Sequence, residues 1–172
     1  EPACRRGRVE EQPVAICRLK RVAADFKEDV SARLPKPVAN KNGKRIALIG
    51  AGPASLTVAR DLAPLGYSID IYDNQFAGGG MMRSQIPSFR LPVAVLDEEV
   101  GYILNMVVTT TFNVQVDSLK EILSKNYDAI FVGTGAPRGK GLNLPGLEDA
   151  MANVYLGIEW LSSVAFEHTN SI

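Results

Sequence analysis

Apolar and polar residues follow two rhythms along this chain, and the rhythm changes where the elements change. Ile16, Leu19, Val22, Ala23, Phe26 and Val30 recur at spacings of three and four. That is the period of an amphipathic helix, with Pro13 in its first turn and Arg18, Lys20 and Arg21 on a solvated outer face. Residues 35–45, with two prolines and a glycine, form a polar linker. From Ile46 the pattern becomes a continuous apolar run to Ile49, which suits a buried strand. Leu56, Ala59, Leu62 and Ala63 predict a helix over 53–65 that Gly66 ends, and Ser68–Tyr72 reads as the next strand. Further on, helices are expected at 93–106, 119–125 and 155–166, and strands at 112–116 and 127–132. Pro145-Gly146 marks a turn, and Trp160, Leu161 and Val164 are expected to pack inside. Strand–helix–strand order predicts an α/β fold, a Rossmann-like parallel sheet that binds its ligand at the carboxyl ends of the strands.

The chemistry concentrates where the first strand meets its helix. In Gly50-Ala51-Gly52-Pro53-Ala54-Ser55, Gly50 permits a tight turn and Gly52 carries no Cβ to hold a phosphate away. The helix behind them points unpaired N–H groups and a favourable dipole at an anion. Ser55 occupies the place of the third glycine and is small enough for close packing. Asp73 closes the second strand 21 residues past Gly52, where a carboxylate can accept hydrogen bonds from an adenosine ribose. A second glycine run, Gly78-Gly79-Gly80, leads into Met81 and Met82, which either touch a cofactor or fill the core. Gly133-Thr134-Gly135 ends the last strand without side-chain bulk; Arg138 replaces the glycine that a second dinucleotide fingerprint would need.

Composition narrows the partners. The 172 residues are 46% hydrophobic and 22% charged, enough for a sizeable core. With net charge zero, neither nucleic acid nor an anionic membrane is indicated. The longest uncharged run, Val100–Val116, is too short and too polar to span a bilayer. No leader pattern opens the chain, and the two cysteines are too few for a disulfide scaffold, so the expectation is a reduced, cytoplasmic protein. A start at Glu1-Pro2 without methionine suggests processing or truncation. His168, the one histidine, is expected at an exposed helix end. No Ser/His/Asp set, paired carboxylates or metal-ligand spacing is present, so no catalytic acid or base is named. That pattern suits a protein whose cofactor supplies the chemistry.

Several of these motifs together resemble a known family. Glu1-Pro2-Ala3-Cys4, Pro13-Val14-Ala15-Ile16, Gly50-Ala51-Gly52-Pro53-Ala54, Gly78–Met82, Ile86-Pro87-Ser88-Phe89-Arg90-Leu91-Pro92 and Tyr127–Ala136 are similar to the small (beta) subunit of glutamate synthase and its relatives. Those relatives include the N-terminal part of dihydropyrimidine dehydrogenase. The Ile-Pro-x-x-Arg-Leu element is the most specific, because generic nicotinamide dehydrogenases lack it.

The resemblance implies FAD, reduced by NAD(P)H bound on a separate domain, with electrons passing through iron–sulfur clusters to partner subunits. It implies that Gly50, Gly52, Pro53 and Ala54 lie under the FAD pyrophosphate and that Asp73 holds the ribose. Gly80, Met81 and Arg90 would line the phosphate and flavin side, Val116 would meet the adenine, and Gly133, Thr134 and Gly135 would close over the dinucleotide. Cys4 falls where the family places the last cysteine of a cluster set, so it serves as a metal ligand only if cysteines outside this chain complete the cluster. Cys17 matches no family ligand. Asp73 replaces the usual glutamate, and Gln85 replaces a glycine, where it would either tune the flavin or point away. The implied organisation is a helical segment at 1–34 on the edge of an iron–sulfur-type domain, a linker at 35–45, and a partial flavin domain, its first half, at 46–172. The activity expected of the parent assembly is that of an NAD(P)H-dependent flavin oxidoreductase. The alternatives are a non-catalytic dinucleotide-binding or docking subunit of a redox complex, and a plain NAD-binding domain.

Overall fold

The computed structural model describes residues 3–106 and 109–167. The chain divides into two compact units, Glu1–Leu34 and Pro35–Ile172. In the first, a 3-10 turn at Arg5–Arg8 precedes helix α1, Ile16–Asp25. Pro13 and Val14 run as open chain up to the N-cap Ala15, so Pro13 stands before the helix and not in its first turn. The helical rhythm is present, but its apolar stripe is not covered: Phe26 is 82% exposed and no residue of α1 is buried. A unit this small lacks the surface to bury one face of a helix.

The second unit is built on four parallel strands in the order β3-β2-β1-β4. They are β1 (Arg45–Ile49), β2 (Ser68–Tyr72), β3 (Thr109–Thr111) and β4 (Ala129–Val132). Around them run α2 (Pro53–Leu62), α3 (Met81–Ser84), α4 (Val93–Leu104), α5 (Leu119–Leu123) and α6 (Gly157–Ala165). On one face of the sheet, Leu48, Ile69 and Ile71 are fully buried with Ala59 and Ala63, which α2 and its closing 3-10 turn supply. On the other, Ala47 and Ile49 pack with Ile122 of α5. Cover on both faces is why β1 and β2 read as apolar runs and not as an alternation. Leu56 of α2 and Leu96 and Val100 of α4 form a third cluster beside them. The strand β4 closes one side of the sheet, with Val132 53% exposed.

Two further expectations are corrected. The third strand lies at Thr109–Thr111 and not at 112–116. Three β-branched residues suit the strand, whereas Asn113 adopts a left-handed conformation (φ 58°) that breaks the extended run. From there the Asn113 and Val114 N–H groups donate to the carbonyls of Gln75 and Asp73. The last helix forms, but Trp160 and Val164 are 48% and 44% exposed, and no residue in α6 is buried. Its apolar stripe is covered only in part: Ile158 and Leu161 are half-buried, and α3 lies against the helix. His168 lies outside the described residues. Among the described residues, no helix is long and apolar enough to cross a membrane.

One polar cluster ties three strands together. Asp70, buried in β2, accepts from the Arg45 guanidinium (2.9 Å) and from the Tyr127 hydroxyl (2.8 Å). The Tyr127 and Tyr72 hydroxyls lie 2.8 Å apart, and Arg45 also covers the Tyr127 ring at 4.5 Å. Burial, then the bonds to Tyr72 and Asp70, push the Tyr127 phenol well above its ordinary value. Its contribution to stability is therefore complete below about pH 10, where an unfolded tyrosine begins to ionise, and is lost as pH rises through the folded value. Tyr127→Phe should destabilise the chain by about 1–2 kcal/mol at neutral pH, the worth of a hydrogen bond to a charged group that is only partly shielded. Its melting temperature should also fall less steeply than the parent's above about pH 10. Parallel alkaline limbs in the two melting curves would exclude this role for the phenol.

Candidate functional site

The site is a meeting of bare main chain at the carboxyl edge of the sheet, where β1, β2 and β4 end side by side. Gly50 leaves β1 with φ 97°, a left-handed conformation that disfavours other residues, and its N–H donates to the Tyr72 carbonyl (2.7 Å). A Cβ on Gly50 would lie 2.5 Å from the Gly133 carbonyl oxygen and 3.2 Å from the Thr134 Cα. On the other side, a Cβ on Gly80 (φ 53°) would stand 2.8 Å from the Gly52 Cα. The two glycine turns thus pass backbone against backbone. They are cross-tied by the Gly79 N–H, which donates to the Ala51 carbonyl (2.9 Å).

Gly52 is the N-cap of α2, and Pro53 follows in the first turn, where its missing N–H costs nothing. A Cβ on Gly52 would meet only the Gly80 Cα, at 3.9 Å, so the space above Gly52 is open. First-turn N–H groups of a helix have no partner within it, and here they face that space together with the positive end of the dipole. Among the described residues, the N–H groups of Gly52 and Gly80 donate to no protein acceptor. Behind the turn, Ser55 is fully buried and its hydroxyl has no partner. A Cβ on Gly133 would lie 2.5 Å from that oxygen, so Ser55 and Gly133 keep α2 and β4 close through mutual smallness.

Asp73 sits one residue past β2. One carboxylate oxygen accepts from the Ala51 N–H and the other from the Gln75 N–H (2.7 Å). The side chain fastens the first glycine turn, and a carboxylate's remaining lone pairs stay available to a ligand. The structure therefore gathers Gly50, Gly52, Asp73, Gly80, Gly133 and Thr134 through shared contacts, with Pro53 and Ala54 exposed at the start of α2. Met81 is 59% exposed at the start of α3, whereas Met82 packs against the Leu56–Leu96–Val100 cluster. Arg90 is exposed, and its guanidinium bonds to none of the described residues. Val116 is packed beside Ala47, Ile49 and Ile122, and Gly135 (φ 70°) stands in open space.

Reading the sequence alone missed Ala51, whose N–H and carbonyl are both committed, and the partners that hold the turns. Gln85, read from the sequence as either tuning the flavin or pointing away, is tied to another helix. Its amide donates to the Ile158 carbonyl on α6 (3.1 Å), so its polar end links α3 to α6.

In the first unit, Cys4 is a free thiol. The backbone N–H of Val14, and after it that of Arg6, bonds to its sulfur and holds the thiol below its ordinary range.

With this geometry in hand, the relatives are informative. The chain is 37% identical over 149 residues to the NAD-dependent dihydropyrimidine dehydrogenase subunit PreT of Salmonella typhimurium, covering 84% of this chain and 36% of that protein. It is 28% identical over 165 residues to glutamate synthase [NADH] of Schizosaccharomyces pombe, covering 94% of this chain and 8% of that one. In sequence the chain is similar to the glutamate-synthase small-subunit-like FAD/NAD(P)-dependent oxidoreductases. It spans about a third of the length of the first of these relatives. No family model matches it. Among solved structures, FprA of Mycobacterium tuberculosis in complex with NADPH shares the fold, with a TM-score of 0.58 at 19% identity over 70% of this chain and 28% of FprA.

Two outcomes check this geometry in a glutamate-synthase small-subunit-like chain. Gly133→Ala should destabilise the fold by about 1–3 kcal/mol through overpacking, and Ser55→Ala in the same molecule should return part of that loss. Strict additivity of the two substitutions in thermal unfolding would contradict the contact. Alkylation of Cys4, followed by mass spectrometry against pH, should have its midpoint below the ordinary thiol value of 9.0. A midpoint at or above that value would remove the N–H donors as its cause.

Proposed function

We propose that this chain is the FAD-binding part of a cytoplasmic NAD(P)H-dependent oxidoreductase of the glutamate-synthase small-subunit type. One observation carries the reading: Gly80 passes close against Gly52 with no side chain on either, and the space above Gly52, at the N-terminus of α2, is open. A diphosphate fits such a place. It needs N–H donors, close main-chain approach and no competing carboxylate, and the one nearby carboxylate, Asp73, is turned onto the Ala51 and Gln75 N–H groups.

In this reading the Gly50–Ala54 turn and Gly80–Met81 cradle the FAD pyrophosphate. Asp73 offers its remaining lone pairs to the ribose, and Arg90 supplies a cation to a phosphate. Val116 lies against the adenine through its backbone, and Gly133, Thr134 and Gly135 close over the dinucleotide. When bound, the flavin supplies hydride acceptance and stepwise electron release. The residues here bind it, orient it and keep bulk away. NAD(P)H binds on a part of the protein beyond this chain. Cys4, with its sulfur-directed N–H donors, is a ligand of an iron–sulfur cluster completed by cysteines from outside the chain, and the acceptors are other subunits or domains of a redox complex.

Titration of the chain with FAD, read by quenching of flavin fluorescence, tests the proposal. Saturable binding is expected, and Gly52→Val should abolish it with little change in melting temperature, because the added methyls enter open space in the free chain. Equal FAD affinity in variant and parent would remove Gly52 from the site. A chain that bound NADH and ignored FAD would replace the flavin reading with a nicotinamide one.

A further inference from the structure

We infer that Arg83 is a positioning residue that presets the second glycine turn for the dinucleotide, an assignment that rests on the FAD reading. Arg83 lies in α3, and its side chain is only 10% exposed. Its Nε donates to the Gly78 carbonyl (2.9 Å) and its Nη2 pairs with Asp97 on α4. The guanidinium thus reaches back over five residues of its own chain and forward to a separate helix.

The turn that it grips has little tolerance. A Cβ on Gly78 would lie 3.1 Å from Val100 Cγ1, and one on Gly79 would lie 3.2 Å from Leu96 Cδ2, so the turn rests directly on α4. Its far side carries the Gly79 N–H bond to Ala51 and the close passage of Gly80 beside Gly52. Three glycines in a row have more conformational freedom than any other tripeptide, and two of them, Gly79 and Gly80, are held at positive φ (123° and 53°). Without a fastener the turn would sample many states, and binding would have to select one. Arg83 satisfies the Gly78 carbonyl, and the Gly80 N–H is left without a protein acceptor among the described residues. A planar fork with separated donors can hold a carbonyl and a carboxylate at once, which a lysine ammonium does poorly.

The test compares the parent with Arg83→Met, Arg83→Lys and Asp97→Asn, each measured well below its own melting temperature. Arg83→Met should weaken FAD binding by about ten- to hundredfold, the usual range for losing one charge-assisted hydrogen bond. It should weaken ADP by the same factor, because the turn addresses the diphosphate that both share. Arg83→Lys should recover part of the loss, and Asp97→Asn, which leaves the Gly78 bond in place, should stay near the parent. Without any nucleotide, amide exchange at Gly79 should quicken in Arg83→Met and remain slow in Asp97→Asn. A purely structural arginine would lower the melting temperature yet leave nucleotide affinity of the folded chain unchanged, and that result would overturn the assignment alone. Failure of the parent to bind FAD at all would overturn the flavin reading and this assignment together.

Discussion

Backbone approach at the carboxyl edge of the sheet is the constraint on which the other features depend. Gly50 must pass the Gly133 carbonyl and Gly80 must pass the Gly52 Cα, and neither Gly50 nor Gly80 admits a Cβ without displacement. Parallel pairing of β1 with both β2 and β4 delivers the three strand ends to one place. Small residues then let the turns close on each other, and the buried Ser55 beside Gly133 extends the same economy one layer inward. In the proposed reading the diphosphate is held chiefly by main chain: the Gly52 and Gly80 N–H groups stay open because no side chain covers them, and Arg90 adds a cation.

Two polar devices sit on opposite ends of this sheet and serve different ends. Asp70, with Arg45 and Tyr127, joins the strands near their amino ends and contributes to the fold. Asp73, two residues beyond β2's Ile71, fastens the first glycine turn, and Arg83 fastens the second. Asp73 and Arg83 each set a charged group against main-chain donors or acceptors, which fixes loops that have no side chains of their own to pack. Rigid turns with unused N–H groups are what a dinucleotide site requires if ordering is not to be charged against affinity.

Much of this was legible in the residues because it is local. The apolar run to Ile49, the glycine turn, the helix behind it and the Ser68–Tyr72 strand follow from neighbours a few positions apart, and all are present. The Asp73 spacing was readable as well, although its grip on Ala51 was not, since a carboxylate's partner depends on where the turn folds back. Arg83 and Asp97 are joined only by tertiary folding, and no period in the sequence pairs them. The strand at Thr109–Thr111 was displaced in the reading because alternation at 112–116 imitates a strand that Asn113 interrupts. In α1 and α6 the helical period was correct and burial was not: amphipathy reports what a helix is ready to cover, and not whether anything lies there.

The position of β4 at the margin of the sheet has a practical bearing. Ala-Ile-Phe-Val offers four uncharged residues, without proline or lysine, along a strand whose outer backbone groups pair with no described strand. Such a margin is a template on which another copy can lay its own strand. Preparations of this chain alone should therefore be kept dilute, since crowding rewards accretion of copies over the solitary molecule.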